Sequence, residues 1–554
     1  MSWQPPPSTP ATTTADDHAR TRAEAFPAPP TWAGRPPLTN NRLPSRLRRV
    51  SRGMILIIVL VVVAVLALGA YAFAELMVSQ RSASRLTGRQ LQARALAESG
   101  VDMVRYFLGQ PRSERAAAGG LYDNPQQFQG ITVFDDPDPM ERGKFTLLAP
   151  NLDENDQLAG IRYGLGDESA RLNLNLLLVA DKKLPGSGRT LLKGVPGMTD
   201  DVADAILDWV DDDEEPREFG CENEYYSGLT PAYRTANRPL MTLEELLLVR
   251  GITPEVLFGY DVNRNGMVDP NEAPGGATAG TDATVQLGWS QFLTLTSKEL
   301  NVNAAGEPRI NINQDDLQGL YEALTARLGN DAWASYIIAY RQYGPSNGAG
   351  QATAWQGGNV DFSRPGNTKF GQVLDLIGSK VQVAGGGGNR LYNSPFPNDI
   401  VAMGGYLPIM LDNLSASDTP VLPGRLNINQ APKNLLQAIP GMTEQMLTEI
   451  LSRRIPEPDV NLPIRRHEAW LMAEGIVTLE EMKLLAPFLC AGGDVYRAQV
   501  VGYFQGGAMA SRVEVLLDAT ESPPRVLLWR DLSHLGRGYA LETLGVDLAG
   551  AGVP

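Results

Sequence analysis

Met54-Ile-Leu-Ile-Ile-Val-Leu-Val-Val-Val-Ala-Val-Leu-Ala-Leu-Gly-Ala-Tyr-Ala-Phe-Ala74 holds 21 residues without a charge. As a helix it would run roughly 30 Å, enough to cross the hydrocarbon core of a bilayer. Upstream stand Arg42, Arg46, Arg48, Arg49 and Arg52 with no acid among them. The positive-inside rule therefore keeps the N-terminus cytoplasmic and exports everything after Glu75. Residues 1–53 carry eight Arg and Lys against three Asp and Glu, so this leader is +5 while the remaining chain is −20 of the total −15. Rich in Pro, Thr and Ala, the leader reads as disordered. The whole chain has 554 residues and is 43% apolar, enough for two to four domains. Only Cys221 and Cys490, and His18, His467 and His534, are present, which argues against a disulfide scaffold and against a Cys- or His-based metal centre. The acidic balance argues against a general nucleic-acid binder.

Three readings fit the apolar run. Ala70-Tyr71-Ala72 offers a signal-peptidase site, but the run exceeds the usual length of a secretory core. A plain signal anchor is the second. The third takes in the flanks. Gly53 ends the basic leader, and helical sequence continues without proline to Leu108, with Leu91, Leu96, Val101, Val104 and Leu108 at helical spacing. A basic leader ending in Gly, an apolar half-helix and an amphipathic half-helix resemble the type IV pilin and pseudopilin family. The resemblance implies cleavage after Gly53 by a prepilin peptidase and a methylated new N-terminus at Met54. Most of that family carry Glu at mature position five, where this chain has Ile58. An unpaired charge in hydrocarbon costs several kcal/mol, so a subunit without the Glu is tolerated best at a filament end. By resemblance, this absence points to the general secretion pathway protein K family.

Beyond residue 110 one pattern recurs three times: Arg171-Leu-Asn-Leu-Asn175, Arg309-Ile-Asn-Ile-Asn313 and Arg425-Leu-Asn-Ile-Asn429. The alternation predicts a short half-buried strand before each helical stretch. The first and third copies lead to Val195-Pro-Gly-Met-Thr199 and Ile439-Pro-Gly-Met-Thr443, with amphipathic helices expected over 202–210 and 446–453. Turns at Gly197 and Gly441, each followed by a Thr N-cap, form a helix-hairpin-helix signature. Such units often hold DNA, but here they run into Asp200, Asp201 and Glu444 with only Lys193 and Lys433 nearby. A protein-contacting role is expected, with a membrane-anchored DNA-uptake or DNA-binding protein as the alternative. Glu168–Asn175, the acidic stretch 208–216, Glu222-Asn-Glu-Tyr-Tyr226, Tyr233 and 241–249 extend the resemblance to the protein K family.

Asp261-x-Asn263-x-Asn265-Gly266-Met267-x-Asp269-x-x-Glu272 has the spacing of a calcium loop. Oxygens at positions 1, 3, 5 and 12 converge on one hard cation, position 7 offers its carbonyl, position 9 acts through water, and Gly266 allows the turn. Pro270 and the glycines beyond make a second EF-hand helix improbable, so a loop-type structural Ca²⁺ site is expected. The acids Asp211–Glu215 repel one another, and a cation would relieve them. Asp211, Asp213, Glu222 and Glu224 are its candidate ligands, and the resemblance implies calcium in this region.

No Ser/His/Asp set, phosphate loop or metalloprotease motif is present, so the chain does not read as an enzyme. Gly385–Gly388 reads as a loop. Cys221 and Cys490 could pair in an oxidising compartment, but spacing alone does not join them. Strands are expected over 495–504, 511–517 and 525–529.

The fold class expected is α+β: a pilin-like long N-terminal helix packed on an antiparallel sheet, with a large inserted helical domain containing helix-hairpin-helix (SAM-like) units. The expected divisions are a removed leader (1–53), the long helix (54–108, spanning at 54–74), pilin-like strands (109–175) and a first helical subdomain with the calcium loop (176–308). A second helical region (309–490) and a C-terminal β meander (491–554) follow. The resemblance implies a minor pseudopilin at the tip of a type II secretion pseudopilus. Its implied partners are other minor pseudopilins, the prepilin peptidase and the inner membrane, with no nucleic acid. A single-pass inner-membrane protein with a periplasmic C-terminal domain is expected.

Overall fold

A computed structural model describes residues 52–546, apart from 154, 273–286, 349, 359, 386–387, 458–460 and 508. The leader up to residue 51, the centre of the tetraglycine, part of the segment after the calcium loop and the last eight residues lie outside the described residues. Helix α1 runs Arg52–Leu108. The described chain falls into two units, one ending at Ser79 and one beginning at Gln80.

In the first unit α1 carries apolar side chains on every face, and all from Met54 to Ser79 are exposed. Uniform apolarity suits a helix surrounded by lipid better than one packed on a core. Among the described residues it is the one helix long and apolar enough to cross a membrane.

In the second unit α1 becomes amphipathic and buries Ala93, Leu96, Ala97, Val101, Val104, Phe107 and Leu108. These recur every three or four residues, so one stripe faces the core. They pack on an antiparallel sheet of β1 (Ile131–Phe134), β2 (Gly143–Leu152), β3 (Leu158–Arg162), β4 (Gly166–Asp167), β5 (Val495–Phe504), β6 (Ala510–Asp518) and β7 (Arg525–Asp531). The order is β1-β2-β5-β6-β7, with β3 on β2 and β4 on β5. Phe145, Leu147, Val500, Val513, Val515 and Leu517 meet the helix stripe. Helix and sheet approach so closely at Gly502 that an added Cβ would lie 2.3 Å from the Ala93 carbonyl oxygen. The three C-terminal strands follow the expected alternation and extend it by one or two residues at β6 and β7.

Between β4 and β5 the chain leaves the sheet and returns as a large helical domain. The three Arg-x-Asn-x-Asn copies act as its clasps. Leu172–Asn173, Ile310–Asn311 and Leu426–Asn427 form two-residue strands. Each pairs in parallel with a later segment: Leu293–Thr294, Leu414–Ser415 and Leu489–Cys490 respectively. In every copy the second Asn donates its backbone N–H to the side chain of the first, at 3.1, 2.9 and 2.9 Å. Its side-chain amide then donates to the carbonyl just past the closing strand: Leu295 (3.4 Å), Ala416 (3.0 Å) and Ala491 (2.8 Å). The helical part is thus three closed modules, so the expected region 309–490 contains two of them. All three share one hydrophobic core from Leu172 to Leu489.

At the sheet junction Glu168 is fully buried and accepts from Arg497 Nε (2.8 Å) and Nη2 (3.0 Å) and from the Thr294 hydroxyl. Burial alone would raise its pKa, but Arg497 and Arg171 outweigh that and hold the carboxyl down at about 2. Replacing Glu168 by Ala leaves Arg497 buried with Glu514 alone (3.2 Å). We expect a loss of about 3 kcal/mol in denaturant unfolding of the full chain. A change under about 0.5 kcal/mol would show that the pair does not hold the junction.

Candidate functional site

Helix Asp200–Val210 supplies the acids of the first module. Asp204 and Asp208 sit one turn apart on its buried face and are both fully buried. Arg189 holds Asp204 with two bonds, at 2.7 and 2.6 Å. Arg217 donates to Asp208 (2.8 Å) and also to Asp211. Neither arginine figured in the sequence reading, because an arginine's partner in the fold leaves no local spacing signal.

Past the helix, the carboxylate oxygens of Asp211, Asp213 and Glu222 lie within 4.8 Å of one another. Asp211 and Glu222 are buried and Asp213 is exposed. Both oxygens of Glu222 and the Oδ1 of Asp211 are buried with no hydrogen-bond partner. So is the Oδ1 of Asn237, whose amide nitrogen donates to the Asp213 carbonyl at 2.7 Å. Buried acceptors without donors are rare, and those of Glu222 and Asp211, in a group within 4.8 Å, leave room for a cation. Asn237 is an addition: in the sequence it stands far from the acidic run. Its backbone is bent to φ +43°, and its N–H donates to the Trp209 carbonyl at 3.1 Å. Glu224, also a candidate, is exposed and outside the trio. Glu222 is the N-cap of helix Asn223–Ser227, and a residue two further on faces elsewhere.

The calcium-pattern loop is arranged differently. Asp261 is buried and accepts from the Asn265 N–H (2.9 Å) and the Gly266 N–H (2.8 Å), with Gly266 at φ +83°. Glu272 accepts from the N–H groups of Asn263 (2.9 Å) and Asp269 (3.1 Å). Asp269 takes both the Asn263 and Asn265 amides, at 2.7 and 3.1 Å. The oxygens at positions 1, 9 and 12 are therefore engaged with donors of the same loop, while the Oδ1 of Asn263 is buried without one. Burial pushes the Asp261 carboxyl up to about 6, against the two N–H bonds that favour its ionised form. Met267 packs on Leu148, Val501 and Tyr539, and the Asn265 carbonyl accepts from the Tyr539 hydroxyl at 2.9 Å. The loop is anchored to the sheet.

At the two Gly turns, Gly197 has φ +74° and Gly441 φ +85°, which favours Gly. Short helices flank both turns, 187–192 with 200–210 and 433–437 with 444–453. Thr443 caps Met446 as expected (3.2 Å), whereas the Thr199 side chain makes no cap bond. Lys193 is engaged by Asp200 at 3.1 Å. Cys221 and Cys490 are both buried free thiols with different partners, the Tyr226 hydroxyl and the Arg425 carbonyl. Met54 begins the exposed apolar stretch of α1; the side chain-free Gly53 lies in the same helix.

A family model described as type II secretion system protein K matches residues 170–258. The protein K of Pseudomonas aeruginosa is 32% identical over 212 residues, 37% of this chain and 59% of that protein. That of Aeromonas hydrophila is 45% identical over 53 residues, 9% of this chain and 16% of the relative. The matched stretches thus span less than two thirds of either relative. A crystal structure of the GspK–GspI–GspJ complex of the enterotoxigenic Escherichia coli type 2 secretion system aligns over 82% of this chain and 99% of its own, with TM-score 0.35 and 12% identity. The protein K match takes in the first clasp and the carboxylate trio and ends at Phe258, before the loop 261–272.

Burial, with Asp208 and Asp211 nearby, pushes the Glu222 carboxyl up to about 7 from the ordinary 4.5. Between those values the folded chain binds a proton that the unfolded chain has released, so stability falls as pH rises. In chelator, unfolding of the full chain should lose roughly 1–2 kcal/mol between pH 5 and pH 7.5. Glu222→Gln should reduce that slope, with the raised Asp261 carboxyl contributing to what remains; an unchanged slope would assign it elsewhere.

Proposed function

We propose that the chain is a minor pseudopilin of a type II secretion machine, acting at the tip of the pseudopilus in its assembly and in export across the outer membrane. The observation that carries this reading is α1: an apolar half that follows arginines and Gly53, continuous with an amphipathic half that packs on a sheet. Its similarity to proteins named for protein K of the secretion system supports the same reading. Ile58 in place of an acid supports a place at the filament end, where no neighbour above needs an ionic partner in the bilayer. Prepilin peptidase would cleave after Gly53 and leave a methylated Met54. The chain would stand in the inner membrane by one pass, with its C-terminal domain in the periplasm. Other minor pseudopilins are its proposed partners. The role is assembly, not catalysis. The relatives above are named for secretion, and the DNA-uptake alternative gains no support from them.

Structural calcium belongs to this reading. The unpartnered oxygens of Asp211 and Glu222, grouped with Asp213 within 4.8 Å, support one site, and the spacing Asp261–Glu272 supports another. At either, the ion would replace repulsion between carboxylates by attraction to a common centre and so stiffen the helical domain.

Two measurements test the proposal. Mass spectrometry of the protein recovered from cells that carry the peptidase should show an N-terminus at Met54, methylated; a start at residue 73, or an uncleaved leader, would sink it. For the ions, chelator should lower the melting temperature of the full chain by several degrees. The shift should shrink in Asp211→Asn with Glu222→Gln, and separately in Asp261→Ala with Glu272→Ala. A chelator-insensitive wild-type chain would refute a structural ion.

A further inference from the structure

A cavity of about 700 Å³ opens where the three modules meet, and the leading arginines of all three clasps, Arg171, Arg309 and Arg425, line it. Arg112, Lys183 and Arg466 add to them, against the carboxylates of Glu299, Glu468 and Asp494. Six cations against three anions is a local excess of positive charge inside a chain that is acidic overall. The carboxylates are already engaged. Arg425 takes Glu299 at 2.8 Å and Glu468 at 2.7 Å, and Arg112 takes Asp494 at 2.7 Å.

Arg171 lies 3.7 Å from Glu168, outside the lining, whereas Arg309 and Lys183 face no such partner among the described residues. Arg309 donates to the Asp412 carbonyl (3.3 Å), and neither it nor Lys183 has a carboxylate at ion-pair distance among the described residues. His467 reports the same field. Burial first, then Arg309, Arg466 and Arg112, oppose its protonation and hold its pKa at about 3, although Glu468 acts the other way. Much of the remaining lining is apolar, with Leu177, Val179, Leu374, Leu411 and Leu422. A volume in this range suits a small molecule.

We infer that this cavity binds a small amphiphilic anion, a phosphate or carboxylate joined to an apolar body, with Lys183 and Arg309 as the groups that receive its charge. Arg425 serves a different purpose, because two carboxylates already hold it as a tie between modules. Lys183 ties nothing together, and its ammonium on an exposed residue of helix Leu177–Lys183 is placed to meet a ligand. The inference stands apart from the secretion role and from either calcium site.

Calorimetry on the full chain in uncharged maltoside micelles, at fixed ionic strength, tests it with phenyl phosphate, inorganic phosphate and phenol. Phenyl phosphate should bind at least 10-fold more tightly than either of the others, since only it uses both the charge and the apolar wall. Lys183→Gln and Arg309→Gln should each weaken it about 10-fold. Lys182→Gln, an exposed neighbour outside the lining, should leave binding unchanged. Absence of saturable phenyl phosphate binding, inorganic phosphate binding as tightly, or an equal loss in Lys182→Gln would each overturn the inference. If Arg309→Gln fails to fold, the exposed Lys183→Gln still decides it.

Discussion

Two neighbouring strands hold this molecule together at the point where the chain departs and comes back. Asp167 of β4 pairs with Tyr496 of β5, and Gly166 with Arg497, although the whole helical domain lies between them in sequence. The ends of that domain are therefore one strand spacing apart, about 5 Å. Such an insertion closes a very long loop, yet closure entropy grows only slowly with length. What the junction needs is polar satisfaction, because it is buried. Glu168 meets Arg497, and Asp167 accepts from the Asn427 amide (2.8 Å) and the Gly493 N–H (2.7 Å). Asp494 accepts from Arg112 and from the Leu300 N–H at 2.8 Å. First module, last module and sheet thus share one network, in which loss of any charge strands its partner.

The helical domain repeats that economy of design at smaller scale. Each clasp is only two residues of parallel strand, too short to be stable by itself. The paired asparagines make up the deficit. One side chain turns back on its own backbone, and the other reaches across to the chain that closes the module. The first position uses its side-chain oxygen as an acceptor and the second its amide as a donor, a role that an ionised Asp at the second place cannot fill.

Periodicity and punctuation made most of the fold legible in the sequence. The stripe Leu96–Val101–Val104–Leu108, the alternating C-terminal strands and the clasps all rest on local repeats and are where their spacing puts them, whereas Leu91, expected in the same stripe, is exposed because the buried stripe begins only at Ala93. Module closure was not legible, since Leu293–Thr294, Leu414–Ser415 and Leu489–Cys490 carry no pattern of their own and are strands only through their partners. For the same reason the sequence suggests two helical regions where the fold has three modules. At the acidic cluster, composition pointed to the right neighbourhood but not to its occupants. Glu224 stays out because it lies two residues past the N-cap Glu222 and is exposed, so the path of the chain, not the count of acids, decides which carboxylates converge.

Charge is sorted by a single rule across these sites. Carboxylates that an arginine can reach are paired, as Asp204 is with Arg189 and Asp208 with Arg217. Those beyond reach either borrow N–H groups, as Asp261 and Glu272 do, or remain bare, as Glu222 does. A carboxylate that borrows backbone donors keeps its loop shaped before any ion arrives, so binding there would exchange one set of bonds for another. Glu222 has no such bond to give up, although its neighbour Asp211 is held by Arg217, so a cation there relieves that carboxylate without displacing a donor from it. For equal ligand numbers an ion bound by Glu222 should therefore couple more strongly to stability than one in the loop, even though the loop carries the more recognisable spacing.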